Sequence, residues 1–290
     1  VEELVYLNGR LLPRAQARIS PLDHGFLYGY GLFETMRAYK GHIFRLNAHI
    51  ERLLAAAKLL GFASKLSAAM LKQACVEVLE ANQLEEASVR LAVSAGEGEP
   101  RPDPATCQEP TVFIVARTYV PPSPEAYERG FSAVMASLRR DSQSPLSYLK
   151  SANFLLSLLA RQEARGAGAD EALLLNERGH VAEGSLSNIF LGKGGRLFTP
   201  DQESGILPGI TRQVVLELAH SLGVAVKEDK LGPEALLSAD EAFLTNSLIE
   251  VMPLTQIGGK AIGSGRPGPL TVSFMAAYKE LVARETGIAC

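Results

Sequence analysis

Cysteine is scarce in this chain, with three in 290 residues, at Cys75, Cys107 and Cys290. An odd number at such wide spacing builds neither a disulfide framework nor a zinc site. Cys75 falls in an apolar helical pattern and reads as a core residue. No apolar run approaches the roughly 20 residues that a membrane-spanning helix needs. The N-terminus opens directly on a strand-like segment with no signal peptide in view, so a reducing cytoplasm is the expected location. An excess of one charge is also missing. The net charge of −3 implies no basic face for nucleic acid or an anionic membrane. A local basic pocket around one phosphate stays compatible with it. The five histidines show no ligand-like pairing, so no metal is expected, and His49 reads as a packing or hydrogen-bonding residue. There is no G-x-S-x-G elbow and no Walker loop, and Gly25, Gly29 and Gly31 lack the dinucleotide-binding spacing. Internal repeats and low-complexity tracts are absent.

What is present is the balance of a soluble globular protein, 47% hydrophobic and 21% charged, long enough for two domains. Residues 4–12 read as a hairpin around Asn8-Gly9, and residues 33–46 as a second strand pair turning at Lys40-Gly41. A helix starts at Asn47, with Ile50, Leu53, Leu54, Ala57 and Leu60 on one face and Gly61 to end it. A second helix over 67–82 and strands at 88–94 and 111–118 complete a small N-terminal α/β domain, 1–118. Consecutive prolines then mark 119–128 as a linker. The larger domain, 129–290, opens with a strand at 131–140 and a helix at 151–165. Next comes a meander of strands at 171–175, 180–184, 188–192 and 196–199. A helix over 212–222, strands near 224–228 and 241–245 and a final helix at 268–285 close it.

Three features carry chemistry. Lys150 stands at a loop-to-helix junction among apolar neighbours, where an amine can be positioned firmly and lose a proton; the alternative is a solvated surface lysine. Glu183 lies in a strand that otherwise reads as interior, so its carboxylate needs a partner, a ligand atom or a salt bridge. The run Leu207-Pro208-Gly209-Ile210-Thr211-Arg212 leads straight into a helix. There Gly209 permits close approach, and the first amides with the Thr211 hydroxyl can cradle a phosphate, unless Thr211 is a plain N-cap. Ser247, at a strand end, can add a hydroxyl. Arg52 lies opposite an apolar helical stripe, pointing to solvent or into a cleft, and is the candidate for a charge-assisted pair with the phosphate. A lysine, a carboxylate and an anion-binding helix start are together what a protein needs to hold pyridoxal 5'-phosphate (PLP).

At these residues the sequence resembles the class IV aminotransferases, PLP enzymes of fold type IV. The family includes branched-chain and D-amino-acid aminotransferases, (R)-selective amine transaminases and 4-amino-4-deoxychorismate lyase. The runs E-G-S-L-S-N-I-F, L-F-T and L-P-G-I-T-R carry the likeness, with SPLDHGFLYGYGLFETMR, NAHIERL, LKSANFLL and TNSLIEVMPL in the same order. They span nearly the whole chain. The resemblance implies a two-domain α/β fold, a small N-terminal domain and a larger one with a meander or barrel-like sheet, working as a homodimer. It implies that Lys150 forms the Schiff base and shuttles the proton at the substrate Cα, that Glu183 pairs with the pyridine nitrogen, and that Leu207 packs against the ring. Arg52, Gly209, Ile210, Thr211 and Ser247 would hold the phosphate. Tyr28, Phe33, Thr35, Arg37, Arg90 and Asn246 match positions on the substrate side, partly from a neighbouring subunit, and Arg101 is a further candidate.

Two departures stand out. Phe154 and Ser88 occupy positions where branched-chain enzymes carry tyrosines. Thr35 and Asn246 instead match the lyase. The implied activity is amino transfer between an amino acid or amine and a 2-keto acid. Its alternative is β-elimination from aminodeoxychorismate to 4-aminobenzoate and pyruvate, and a PLP-binding homologue without turnover comes third.

Overall fold

The computed structural model describes residues 2–287, which leaves Cys290 outside. The chain folds into two compact units. One holds the chain through Val120 together with Leu149–Asn153 and the stretch from Glu285, and the other holds Pro121–Tyr148 and Phe154–Arg284. Among the described residues no helix is long and apolar enough to cross a membrane.

The first unit is a six-stranded sheet in the order β2-β1-β6-β5-β3-β4. Its strands are β1 (Leu4–Leu7), β2 (Arg10–Pro13), β3 (Gly31–Tyr39), β4 (His42–Ile43), β5 (Ala87–Ser94) and β6 (Thr111–Thr118). The helices are α1 (His24–Tyr28), α2 (Leu46–Leu59) and α3 (Ala68–Ala81). The β1–β2 turn uses Asn8 and Gly9 at φ 47° and 88°, the left-handed pair that a tight hairpin demands. Side chains alternate across the sheet. Leu32, Met36 and Ala38 of β3 and Val89, Leu91 and Val93 of β5 enter a core with Ile50 and Leu53 of α2 and Leu71, Val78 and Leu79 of α3. Phe33, Thr35, Arg37 and Arg90 therefore lie on the opposite face.

The second unit begins with α4 (Pro124–Arg129), β7 (Phe131–Arg140), α5 (Leu155–Gly166), β8 (Glu171–Asn176), β9 (Val181–Gly184), β10 (Asn188–Lys193) and β11 (Arg196–Pro200). It continues with α6 (Ile210–Ser221), β12 (Val226–Asp229), α7 (Pro233–Ser238), β13 (Glu241–Asn246), β14 (Glu250–Ile257), β15 (Lys260–Ala261) and α8 (Pro269–Glu285). Its nine-stranded sheet runs β12-β11-β10-β13-β14-β7-β8-β9, with β15 on β14.

The expected simple meander is therefore broken. β8–β9 and β10–β11 are hairpins, but β13, β14, β7 and β8 come between β9 and β10 in the ladder. Five strand spacings in a flat sheet would separate β9 from β10 by about 24 Å. The four residue steps from Gly184 to Asn188 reach at most about 14 Å. The sheet must curl until its ends approach, and this gives the barrel-like form.

Three other expectations are corrected. The segment after Tyr119 is not all linker, since α4 starts at Pro124 behind a Ser123 cap. The helix expected from 151 starts at Leu155, because Ser151 is engaged in a bridge with Leu32. β14 was not expected as a strand at all: Pro253 interrupts its pattern, yet it pairs with both β13 and β7. The β7 ladder begins at Leu254, one residue past the proline, so the missing N–H is not required there.

Candidate active site

Lys150 lies in the extended strip 149–153 of the first unit. Its carbonyl accepts from the Phe33 amide at 2.9 Å, Ala152 N donates to Gly31 O at 2.8 Å, and the Asn153 side chain donates to Gly29 O at 3.0 Å. The strip thus binds to the start of β3, and Lys150 Nζ stands 4.7 Å from the centre of the Phe33 ring. Lys150 is fixed by this backbone pairing, not by a helix start.

Arg52 does not point to bulk solvent. Its Nε lies 2.8 Å from Glu34 Oε1 and its Nη2 2.6 Å from Glu34 Oε2. His49 Nδ1 is 2.7 Å from the same Oε2. Because a carboxylate only accepts, His49 is the donor, in line with its expected hydrogen-bonding role. Glu34 shares the inward register of Leu32 and Met36 on β3 and is wholly buried. Burial alone would push its carboxyl up; the Arg52 charge and hydrogen bonds from His49 and Arg52 overcome this and hold it at about 2. Burial moves the His49 imidazole below its usual value against the pull of Glu34, and the charges of Arg52 and Lys150 add to the lowering. The cluster is therefore an ion pair with a neutral imidazole.

On the other sheet face the Arg90 guanidinium stacks 3.4 Å from the Phe33 ring centre and donates to Thr35 Oγ1 at 3.2 Å. Desolvation brings its pKa down to about 10, with Glu34 opposing. Arg90 and Phe33 line a cavity of about 470 Å³ with Ile19, Pro21, Phe26 and Phe113. Tyr28, Thr35 and Arg37 do not line it. Arg37 packs over the rings of Tyr39 and Tyr119, and Tyr28 sits edge-on to His24. Arg101 pairs with Glu99 and Asp103 on the surface.

In the second unit Glu183 is buried on β9. Asn188 Nδ2 and the Leu207 amide donate to its Oε2 at 3.0 and 2.9 Å, and Arg140 Nη2 lies 3.1 Å from its Oε1. Asn188 Nδ2 also donates to Leu207 O at 3.0 Å. The serines of E-G-S-L-S-N serve the turn itself. Ser185 and Ser187 donate to buried Glu171, which secures the connection between β9 and β10. α6 begins two residues earlier than the periodicity suggests. Its N-cap is Gly209, with no side-chain cap, so Thr211 lies buried inside the first turn and is not the cap. A Cβ on Gly209 would come 2.0 Å from Asn188 Oδ1, so this turn accepts glycine. Ser247 follows the end of β13. Asn246 uses its side chain within the turn, donating to Leu186 O at 3.1 Å and accepting from the Leu248 and Ile249 amides at 2.9 Å each.

Glu34, Arg140 and Asn188 were not singled out in the sequence. Glu34 left a signal, since alternation along β3 puts a charge between core residues Leu32 and Met36. Arg140 left none, because L-R-R-D-S-Q-S reads as a polar strand end.

A small α/β unit and a curled mixed sheet, with a pinned lysine, a buried carboxylate and an uncapped helix start, define a fold type IV enzyme. Residues 31–257 match the family model described as Amino-transferase class IV, and the chain belongs to that family. It is 40% identical over 280 residues to a putative branched-chain-amino-acid aminotransferase of Methanocaldococcus jannaschii, covering 96% of each chain. It is 37% identical over 279 residues to an aminodeoxychorismate lyase of Bacillus subtilis, covering 96% of this chain and 94% of the lyase. The solved branched-chain amino acid aminotransferase of Thermobaculum terrenum in its PLP form superposes with a TM-score of 0.87 at 29% identity, covering 99% of this chain and 95% of that one.

Proposed function

We propose that the protein is a PLP-dependent aminotransferase that moves an amino group between an amino acid and a 2-keto acid. The observation that carries this reading is the buried Glu183 carboxylate, fixed by three donors in the same unit as an uncapped helix start at Gly209. That donor set fits PLP: an anion for a ring nitrogen, and helix-start amides without a side-chain cap beside the buried Thr211 for a phosphate. When bound, the cofactor supplies an aldehyde for an amine and a ring that withdraws electrons from the substrate Cα.

Lys150 provides the amine, and its Nζ takes and returns the proton at the substrate Cα. Phe33, stacked beside Nζ, keeps water from that side. Glu183 would hold a proton on the ring nitrogen, and Leu207 would pack against the ring. Arg52, oriented by Glu34, would supply a cation for the phosphate, and Ile210, Thr211 and Ser247 would supply donors for it. Arg90, the guanidinium of a largely apolar cavity, receives a substrate carboxylate while the apolar walls receive its side chain.

In the deciding assay the PLP-loaded protein is mixed with leucine, with and without 2-oxoglutarate. Sustained turnover only with the keto acid is expected. The B. subtilis relative gives the rival its standing. Release of pyruvate and 4-aminobenzoate from aminodeoxychorismate without an acceptor would replace amino transfer by the lyase reading.

A homodimer is part of the proposal. Phe26 on α1 is 77% exposed, and α5 turns Leu155, Leu158 and Leu159 outward while burying Ser157, Ala160 and Ala164. Apolar faces of this kind are what a second copy covers. Sedimentation at twice the 31.1 kDa chain mass is expected, and a monomer at micromolar concentration would refute the dimer. A cytoplasmic location accords with small-metabolite substrates.

A further inference from the structure

Arg140, at the end of β7, enters the reading above only as a donor that helps to fix Glu183. Its Nη2 donates to Ser147 O at 2.7 Å and lies 3.1 Å from Glu183 Oε1, while its Nε donates to Gly205 O. The side chains of Arg140 and Glu183 are 11% and 8% exposed, so the pair is screened little by water. The two carbonyls aim the guanidinium, and the carboxylate receives its charge. Asn188 and Leu207 donate to Oε2, and Arg140 brings a cation to the other oxygen of Glu183.

We propose that Arg140 is a positioning residue that holds Glu183 as a carboxylate and so keeps a proton on the cofactor's ring nitrogen. The inference rests on the reading that Glu183 faces that nitrogen. One proton is shared between the ring nitrogen and a Glu183 oxygen. A guanidinium in contact with the carboxylate stabilises the anion more than it repels a ring cation farther away, so the proton stays on nitrogen. Without the guanidinium, the N–H bond breaks and an O–H bond forms on Glu183, and the ring draws electrons less strongly. A purely structural Arg140 would only tether the segments around Ser147 and Gly205 to β7.

The test uses full-length enzyme loaded with PLP carrying nitrogen-15 in the ring. In Arg140→Met the ring resonance should move toward the unprotonated pyridine value, and Arg140→Lys, which keeps the charge, should return it most of the way. An unmoved resonance in Arg140→Met overturns the inference, even if the variant melts earlier. Glu183→Gln separates the two levels. If it too leaves the resonance in place, the Glu183 reading itself fails; if it moves the resonance and Arg140→Met does not, only the role of Arg140 fails. Should Arg140→Met not fold, Arg140→Lys decides: the parent resonance supports the proposal, and one displaced as far as in Glu183→Gln overturns it.

Discussion

Replacing Lys150 with alanine is expected to lower turnover of an amino acid and 2-keto acid by about four orders of magnitude, the upper end of what a positioned proton-transfer group contributes. The fold should survive the change. Lys150 is held through its backbone, by Phe33 N and by the neighbouring pairs Ala152–Gly31 and Asn153–Gly29, and alanine keeps all of these. Circular dichroism and melting should therefore match the parent while the rate collapses. Borohydride treatment supplies the chemical counterpart. In the parent, the cofactor should become fixed to the peptide carrying position 150, and in the variant to none. Attachment at another lysine, or a variant within about tenfold of the parent rate, would remove Lys150 from its assigned role.

The second large effect belongs to Glu34. Its carboxyl is held at about 2 in the folded protein against an ordinary 4.5. A depressed carboxyl pKa stabilises the fold above the ordinary value, and the stabilisation is lost as pH falls through the folded one. Glu34 should therefore contribute on the order of 3 kcal/mol near neutrality, declining between about pH 4.5 and about pH 2. Glu34→Ala removes the carboxylate that His49 and Arg52 share and should cost about 3–5 kcal/mol, the penalty for breaking a buried ion pair from one side. Glu34→Gln keeps the shape and should flatten the acid limb. The chain has no tryptophan, so urea melts followed by far-ultraviolet circular dichroism are the natural probe. A Glu34→Gln stability curve parallel to the parent's down to about pH 3 would show that the carboxylate is not coupled to folding in this way.

The limits of the sequence reading follow from the range of the interactions involved. Hairpins and helix ends set by neighbours were legible, as at Asn8-Gly9 and at Gly61 after α2. So was the Glu183–Arg212 stretch, because its strand, turn and helix start are contiguous. Features that depend on distant partners were not. Ser151 leaves the helical pattern only because β3 offers it a bridge, more than a hundred residues away. Pro253 is harmless in β14 because the β7 ladder begins one residue past it. Strand spacing alone could not show that β9 and β10, neighbours in sequence, occupy different places in the ladder. In the site, Glu34 was detectable from alternation along β3, whereas Arg140 acquires meaning only when β7 and β9 are seen together.

That strand order also bears on synthesis. β10 waits for β13, and β13 is joined to β7 only through β14, which ends at Ile257. A nascent chain that has just exposed the E-G-S-L-S-N turn therefore still lacks the middle of its larger sheet. The ribosome must deliver some seventy more residues before those early hairpins can be bridged, so this half of the enzyme matures late and nearly all at once.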